Sequence, residues 1–212
     1  MRFNRFSRGF SIVEVMVLSV VSLVLVGLLA QLFLIATRRT EDSRVRVDLQ
    51  QNAMAVLRSL ERDIARTTVQ ALTVADGTPY VLAVTRISQW NLNPGLSWEK
   101  KQMIYSFDKA NGILSFETYP PKAPAYADEL SEFTPYLPTA GELRSVATTV
   151  GGQERILSSD IEEFRLTDRN GAISRFQTMP LKLEMKFRRK LSTSDRYAGF
   201  SLERRFFLRN NQ

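Results

Sequence analysis

The 212-residue sequence contains neither cysteine nor histidine. Without cysteine there are no disulfides, thiol nucleophiles or thiolate metal sites. Without histidine the chain lacks the commonest general base and metal ligand, which excludes a Ser-His-acid triad and an H-E-x-x-H zinc helix. Carboxylates, lysine and tyrosine could still support catalysis, but an enzyme becomes the less expected class of protein. No catalytic residue, metal ligand or cofactor is predicted.

Proline and charge are scarce in the N-terminal part of the chain. No proline precedes Pro79, and Glu14 is the only formally charged residue in 10–37. These 28 residues would form a helix of about 42 Å, which exceeds the roughly 30 Å thickness of a hydrocarbon core. The segment TRRTEDSR that follows offers no small-residue site for signal cleavage, so we expect a retained transmembrane helix.

Glu14 is a lone carboxylate near the start of this apolar segment. An acid at the centre of a membrane helix costs about 2.5–3.5 kcal/mol on insertion scales, and it usually has a partner or a function. One interpretation is that Glu14 reaches the headgroups at the membrane edge. The other is that it pairs with a positive group, such as the free amine that cleavage after Gly9 would create on Phe10 of a neighbouring subunit.

Residues 8–15, RGFSIVEV, resemble the processing site of type IV prepilins and type II secretion pseudopilins. The resemblance implies that a membrane prepilin peptidase cuts after Gly9 on the cytoplasmic side and methylates the new N-terminus, Phe10. It also implies that Glu14 docks subunits into a helical fibre. Arginines flank the apolar segment on both sides, so charge alone does not orient it. The resemblance places the N-terminus in the bacterial cytoplasm and the rest of this single-pass inner-membrane protein outside it.

An amphipathic pattern continues through residues 38–68. One apolar stripe recurs at steps of three and four residues. Its members are Val45, Leu49, Ala53, Val56, Leu57, Leu60 and Ile64. We therefore predict one helix from Phe10 to about Thr68 that changes near Arg38 from lipid-facing to sheet-facing.

Strand patterns dominate the remaining sequence. The predicted strands are residues 80–87, 103–108, 113–119, 161–167, 181–187 and 199–208. Asn-Gly pairs in Asp108–Gly112 and Asp168–Gly171 predict two hairpin turns. Residues 120–154 contain five prolines and Gly151-Gly152, and they are predicted to be a long irregular excursion.

The predicted fold class is α+β, with a long N-terminal helix packed on an antiparallel sheet. The predicted segments are a cleaved leader (1–9), a transmembrane helix (10–37), an amphipathic helix (38–68) and an extracytoplasmic β-rich head (69–212). The segments DIEEFRLTDRNG (160–171) and MPLKL (179–183), with paired strands around Tyr105 and Leu114, resemble the J-type minor pseudopilins and similar minor pilins.

Acidic residues give only weak indications of a site. Asp168–Gly171 resembles the opening of a calcium loop but lacks the distal glutamate, which favours a turn. Asp128, Glu129 and Glu132 could bind calcium or belong to a solvated loop. Glu162 and Glu163 are adjacent on a predicted strand, so their side chains should lie on opposite faces rather than act as one acid/base pair.

The formal charge of +7 is concentrated partly near the C-terminus. The cations there are Lys182, Lys186, Arg188, Arg189, Lys190, Arg204, Arg205 and Arg209. They could contact nucleic acid, or they could form the solvent face of strands, because Glu184 and Glu203 interrupt them. Trp90 and Trp98 flank a segment that could form a partner-binding tip or pack within a hairpin.

The resemblance implies a minor pseudopilin or minor pilin, a structural subunit at the tip or initiation complex of a type II secretion pseudopilus or type IV pilus. Its implied partners are the prepilin peptidase, other minor subunits, the major subunit and the inner-membrane assembly platform. Two alternatives stay open. One is a competence minor pilin that contacts DNA, and the other is a single-span membrane enzyme.

Overall fold

The computed structural model describes residues 11–90, 96–119, 135, 137–148, 155–173, 176, 178–192 and 195–208. One long N-terminal apolar helix precedes antiparallel β-sheets, which confirms the predicted α+β class. The chain divides into two compact units, Met1–Arg44 and Val45–Gln212.

Helix α1 spans Ile12–Ile64. Its predicted apolar stripe is confirmed from Leu49 onward, since four of its members are fully buried and two nearly so, namely Leu49, Ala53, Leu60 and Ile64, then Val56 and Leu57. The helix ends four residues before the predicted end near Thr68. There the Thr67 hydroxyl donates to the carbonyl of Thr85 at 2.6 Å, and the amide of Ile87 donates to the carbonyl of Arg66 at 2.6 Å. These bonds tie the residues after α1 to a strand rather than to another helical turn.

Two antiparallel sheets follow a short 3-10 helix, Val69–Ala71. Sheet A contains, in spatial order, β1 (Leu72–Ala75), β2 (Tyr80–Trp90), β3 (Leu96–Asp108), β4 (Ile113–Tyr119) and β5 (Arg155–Ser158). Sheet B contains β6 (Ile161–Thr167), β7 (Leu181–Lys190) and β8 (Tyr197–Phe206). A second helix, α2, spans Ala140–Thr148.

The main core of the second unit lies between α1 and both sheets. The buried stripe of α1 contacts alternate residues of β2 and β7, such as Leu82, Val84, Leu183 and Met185. A smaller cluster forms on the other face of sheet A, where Val81 and Ala83 join Leu143 of α2. Sheet A is therefore covered by α1 on one face and by α2 on the other.

The Asp108–Gly112 turn forms as predicted. The Asp108 carboxylate accepts hydrogen bonds from the amide of Ala110 at 2.9 Å and the side-chain amide of Asn111 at 2.6 Å. Gly112 has φ +67°, a left-handed conformation that favours glycine. A Cβ at this position would lie 3.0 Å from the carbonyl oxygen of Ile161.

The second predicted hairpin is wrong in extent. The turn at Asp168–Gly171 exists, because the amide of Gly171 donates to the carbonyl of Asp168 at 3.0 Å. However, β7 begins only at Leu181, so the turn opens a longer connection between β6 and β7 rather than closing a tight hairpin.

Three elements were not predicted. They are strands β1 and β5, each of four residues, and helix α2 inside the proline-rich excursion. Residues 120–134 and 149–154 of that excursion lie outside the described residues. The predicted alternation of β7 is confirmed, since Leu181, Leu183, Met185 and Phe187 are all buried.

Candidate functional site

The first turn of α1 contains Glu14. Its Oε2 accepts a hydrogen bond from the backbone N–H of Ser11 at 2.9 Å. This contact satisfies a backbone donor that a helix N-terminus otherwise leaves free, as in the reach-back half of an S-x-x-E capping box. Glu14 therefore has a structural role as a cap, which the sequence analysis missed although Ser11-x-x-Glu14 is visible in the sequence.

Beyond Glu14, the first unit exposes an apolar helix surface. Its large hydrophobic side chains from Ile12 to Ile35 are each 48 to 77% exposed. The hydroxyl of Ser19 donates to the carbonyl of Val15 at 2.8 Å, and that of Thr37 donates to the carbonyl of Leu34 at 3.0 Å. These polar groups are satisfied inside the helix, and the helix is long and apolar enough to cross a membrane.

The predicted cleavage pair, Gly9 and Phe10, lies outside the described residues. In the sequence they stand immediately before Ser11, which lies three residues before Glu14. Asp128, Glu129, Glu132, Arg209 and residues 91–95 also lie outside the described residues.

A buried polar cluster at the end of α1 was not predicted. Asp63 is fully buried. One of its carboxylate oxygens accepts a hydrogen bond from the Tyr105 hydroxyl at 2.6 Å, and the other lies 2.7 Å from Nη2 of Arg86. Ser59 lies 3.3 Å from the same tyrosine hydroxyl, and Glu99 lies 3.8 Å from the Arg86 guanidinium. The cluster ties α1 to β2 and β3 by one buried charge pair.

The protonation of this cluster follows from its burial. Loss of water around the hydroxyl, together with the nearby Asp63 carboxylate, raises the pKa of Tyr105 well above its ordinary value. The phenol consequently stays protonated and serves as a donor to Asp63. The neutral Tyr105 hydroxyl and the Arg86 guanidinium therefore share the Asp63 carboxylate. This arrangement holds α1 against the sheet and provides no open substrate site.

Each described cation of the C-terminal basic region lies within salt-bridge distance of a carboxylate. The pairs include Lys182 with Glu203 at 3.2 Å, Arg188 with Glu162 at 2.9 Å, Arg189 with Asp160 at 2.6 Å, Lys190 with Asp195 at 2.8 Å, Arg204 with Glu61 at 3.0 Å and Arg205 with Glu203 at 3.5 Å, as well as Lys186 with Glu163. The guanidinium of Arg188 also stacks 4.0 Å from the ring centroid of Tyr197. This pairing favours a charged strand surface over a nucleic-acid site, because neutralised cations have less charge to offer phosphates.

Glu162 and Glu163 lie on the same face of sheet B, so the predicted alternation is wrong here. They pair with Arg188 and Lys186, which are two residues apart on β7 and therefore share a face. The cause is a shift of register between Ile161 and Glu163, a bulge that places an extra residue on the outer side. Each carboxylate is bound by its own cation.

Asp168 organises its own loop. Its Oδ1 accepts hydrogen bonds from the amides of Asn170 at 2.9 Å and Ala172 at 2.8 Å, and its Oδ2 accepts one from the Thr178 hydroxyl at 3.0 Å. These hydrogen bonds are those of a turn, which is the interpretation that the missing distal glutamate favoured. No group of three acidic residues within the described part of the chain is placed to hold a metal ion.

Trp98 is buried and packs against Ala71 and Ile87. For this tryptophan the structure supports hairpin packing rather than a partner-binding tip.

Searches of protein-family models, curated proteins and solved structures gave no match to the chain.

Proposed function

We propose that this chain is a minor pseudopilin or minor pilin, a non-enzymatic subunit in the tip or initiation complex of a short helical fibre. One observation carries the proposal. The Glu14 carboxylate lies in the first turn of a helix that then has no charged residue before Arg38 and exposes large apolar side chains over several turns, and Arg8-Gly9-Phe10 precedes that turn.

The helix stores the subunit in the bacterial inner membrane until assembly. Cleavage after Gly9 by a prepilin peptidase creates a charged amine on Phe10, which the same enzyme methylates. When the helix enters a fibre, this amine on one subunit pairs with Glu14 on its neighbour. Pairing offsets the cost of removing the carboxylate from water and fixes the axial register of the two subunits.

The second unit acts as the displayed head. The buried stripe of α1 from Leu49 to Ile64 packs against both sheets, so a pull on the helix acts directly on the head. The head presents its strands and loops outside the cytoplasm to other minor subunits, the major subunit and the assembly platform. The resemblance implies that J-type minor subunits have larger heads than major subunits. A head that contains two sheets therefore supports the J-type assignment.

The test separates the two roles of Glu14. Glu14→Gln keeps a side-chain oxygen that can accept the hydrogen bond from Ser11 but removes the negative charge. Glu14→Ala removes both. We expect both variants to be cleaved and to accumulate in the membrane, and both to be lost from sheared fibres by at least about tenfold, the effect of about 1.4 kcal/mol.

Ser19→Ala is the matched control. This hydroxyl lies about one turn further along the same helix and donates to the carbonyl of Val15, so its loss should leave fibre incorporation unchanged. If Glu14→Gln entered fibres at the level of the unmodified chain, the carboxylate would act as a helix cap alone and the docking mechanism would be wrong.

A further inference from the structure

A groove runs beside the second half of α1 where it passes the edge strand β5. One section has a volume of about 260 Å³ and is lined by Arg58, Arg62, Arg155 and Ile156 among others. A second section, of about 420 Å³, shares Ala55 and Arg58 with the first and continues along α1 to Val47. We name the two sections together the arginine groove.

Apolar side chains stand exposed along the arginine groove. Val47 is 51% exposed, Met54 38% and Ile156 60%. Ile156 lines the section between α1 and β5, and Val47 and Met54 line the section that continues along α1. A row of apolar side chains edged by charged ones is the composition of a protein-binding surface.

Two of the three arginines of the arginine groove are unpaired within the described residues, unlike the cations of the C-terminal region. Arg58 and Arg155 form no ion pair with any carboxylate among the described residues. Arg62 is 62% exposed and reaches Asp63 only at 3.5 Å, while Asp63 has its closer partner in Arg86 at 2.7 Å. Three guanidinium groups thus line the groove beside exposed apolar side chains, and among the described residues only Arg62 has a carboxylate within salt-bridge distance.

The shape of the groove indicates the kind of partner. From Val47 to Arg62 the helix rises about 22 Å, the length of a partner helix of about four turns. A helix laid in such a groove contacts it through side chains that recur at three and four residues. The section between α1 and β5 is concave, so a flat lipid surface does not enter it, and nucleic acid would gain little from the exposed apolar side chains.

We infer that the arginine groove binds an acidic amphipathic helix of another polypeptide. The apolar side of that helix would lie on Val47, Met54 and Ile156. Its carboxylates would bind Arg58, Arg62 and Arg155, where planar guanidinium groups allow paired hydrogen bonds. The inference concerns the second unit alone, so it stands whether or not Phe10 becomes the mature N-terminus.

The experiment uses the full chain in nanodiscs of zwitterionic lipid. The probe is a labelled synthetic amphipathic helix of about 16 residues, the span of the groove, with glutamates beside a leucine stripe. A second peptide carries glutamine in place of each glutamate. We expect the acidic peptide to bind at least about tenfold more tightly in fluorescence anisotropy, because charge complementarity separates the two peptides.

Charge reversal then locates the site. Arg58→Glu with Arg155→Glu should weaken the acidic peptide at least about tenfold and should favour a peptide with lysines in place of the glutamates. The matched control is Lys109→Glu with Arg169→Glu, which changes the net charge equally at exposed turn positions and should leave binding intact. Circular dichroism and intrinsic fluorescence check that each variant is folded.

Equal binding of the acidic and glutamine peptides would overturn the inference. So would equal loss of binding in both charge-reversal variants, since net charge and not the groove would then be responsible. Displacement of the acidic peptide by single-stranded DNA or by phosphatidylglycerol micelles at matched charge concentration would show a general anion surface and would also overturn it.

Discussion

Asp63 is a buried charged side chain that links α1 to two strands. It is fully buried and shared between Arg86 and Tyr105. Nothing in the sequence marked it, because its partners lie 23 and 42 residues further along the chain. Its position next to Ile64 of the apolar stripe places it at the edge of the helix–sheet contact, but the pattern of one helix does not reveal which strand supplies a cation.

Asp63→Asn should lower the free energy of unfolding by about 3 kcal/mol, because it leaves the Arg86 guanidinium largely buried without its main partner. The measurement is urea unfolding of the full chain in detergent, followed by tryptophan fluorescence. Glu61→Gln is the control, since it removes a surface pair with Arg204 and should cost less than about 1 kcal/mol. Equal losses of unfolding free energy in the two variants would show that the buried pair contributes no more to stability than the surface pair.

Tyr105 makes stability sensitive to alkaline pH. Its pKa in the folded chain lies above the ordinary value of 10.0, so above pH 10 the unfolded chain releases a proton that the folded chain keeps. Stability present below pH 10 is therefore lost as the pH rises, by up to about 1.4 kcal/mol per pH unit for this group. Tyr105→Phe should be less stable at neutral pH but should lose stability less steeply above pH 10. An unchanged slope in urea unfolding between pH 9.5 and 11 would contradict this account.

At the scale of elements, strong patterns predicted structure well. The stripe of α1 and the alternation of β7 each involve several residues that repeat with one period, so both were visible in the sequence. Strands β1 and β5 have four residues each, too few for alternation to stand out. The bulge after Ile161 was not predictable, since it depends on the register between β6 and β7.

Helix α2 was missed for a different reason. The prolines around it indicated a loop, yet Thr139 and Glu142 form a capping box. The Glu142 carboxylate accepts a hydrogen bond from the amide of Thr139 at 2.7 Å, and the Thr139 hydroxyl accepts one from the amide of Glu142 at 3.3 Å. Leu143 then packs on sheet A. The same spacing of hydroxyl and glutamate occurs at Ser11 and Glu14, so one signal could have identified both helix starts.

Gly112 and Gly171 allow a paired test of turn geometry. Both have positive φ, +67° and +81°, so alanine at either position costs about 1–2 kcal/mol in backbone strain. Only Gly112 would also bring a Cβ to 3.0 Å from the backbone of Ile161, whereas Gly171 has open space. We expect Gly112→Ala to be the more destabilising by about 1 kcal/mol or more in urea unfolding. Equal destabilisation by the two substitutions would show that β6 shifts to make room for the new Cβ at position 112 without loss of stability.

At the scale of the whole molecule, the charge distribution separates two surfaces that look alike in sequence. The cations of the C-terminal region are paired with acids from α1, β6, β8 and the residues just before β6 and β8, whereas Arg58 and Arg155 are not paired within the described residues. Composition gives a net charge of +7 but not this division, because the pairing depends on which strands become neighbours. The sequence did predict the order of one long N-terminal apolar helix followed by antiparallel strands.

The central claim is that Phe10 becomes the N-terminus and that its amine meets Glu14 of a neighbouring subunit. The most direct measurement is mass spectrometry of the N-terminal peptide from chain extracted from the membrane. We predict a peptide that begins with N-methylated Phe10, and we predict that Gly9→Val leaves the chain full-length. An unmodified chain that retains Met1–Gly9 in assembled fibres would contradict the account.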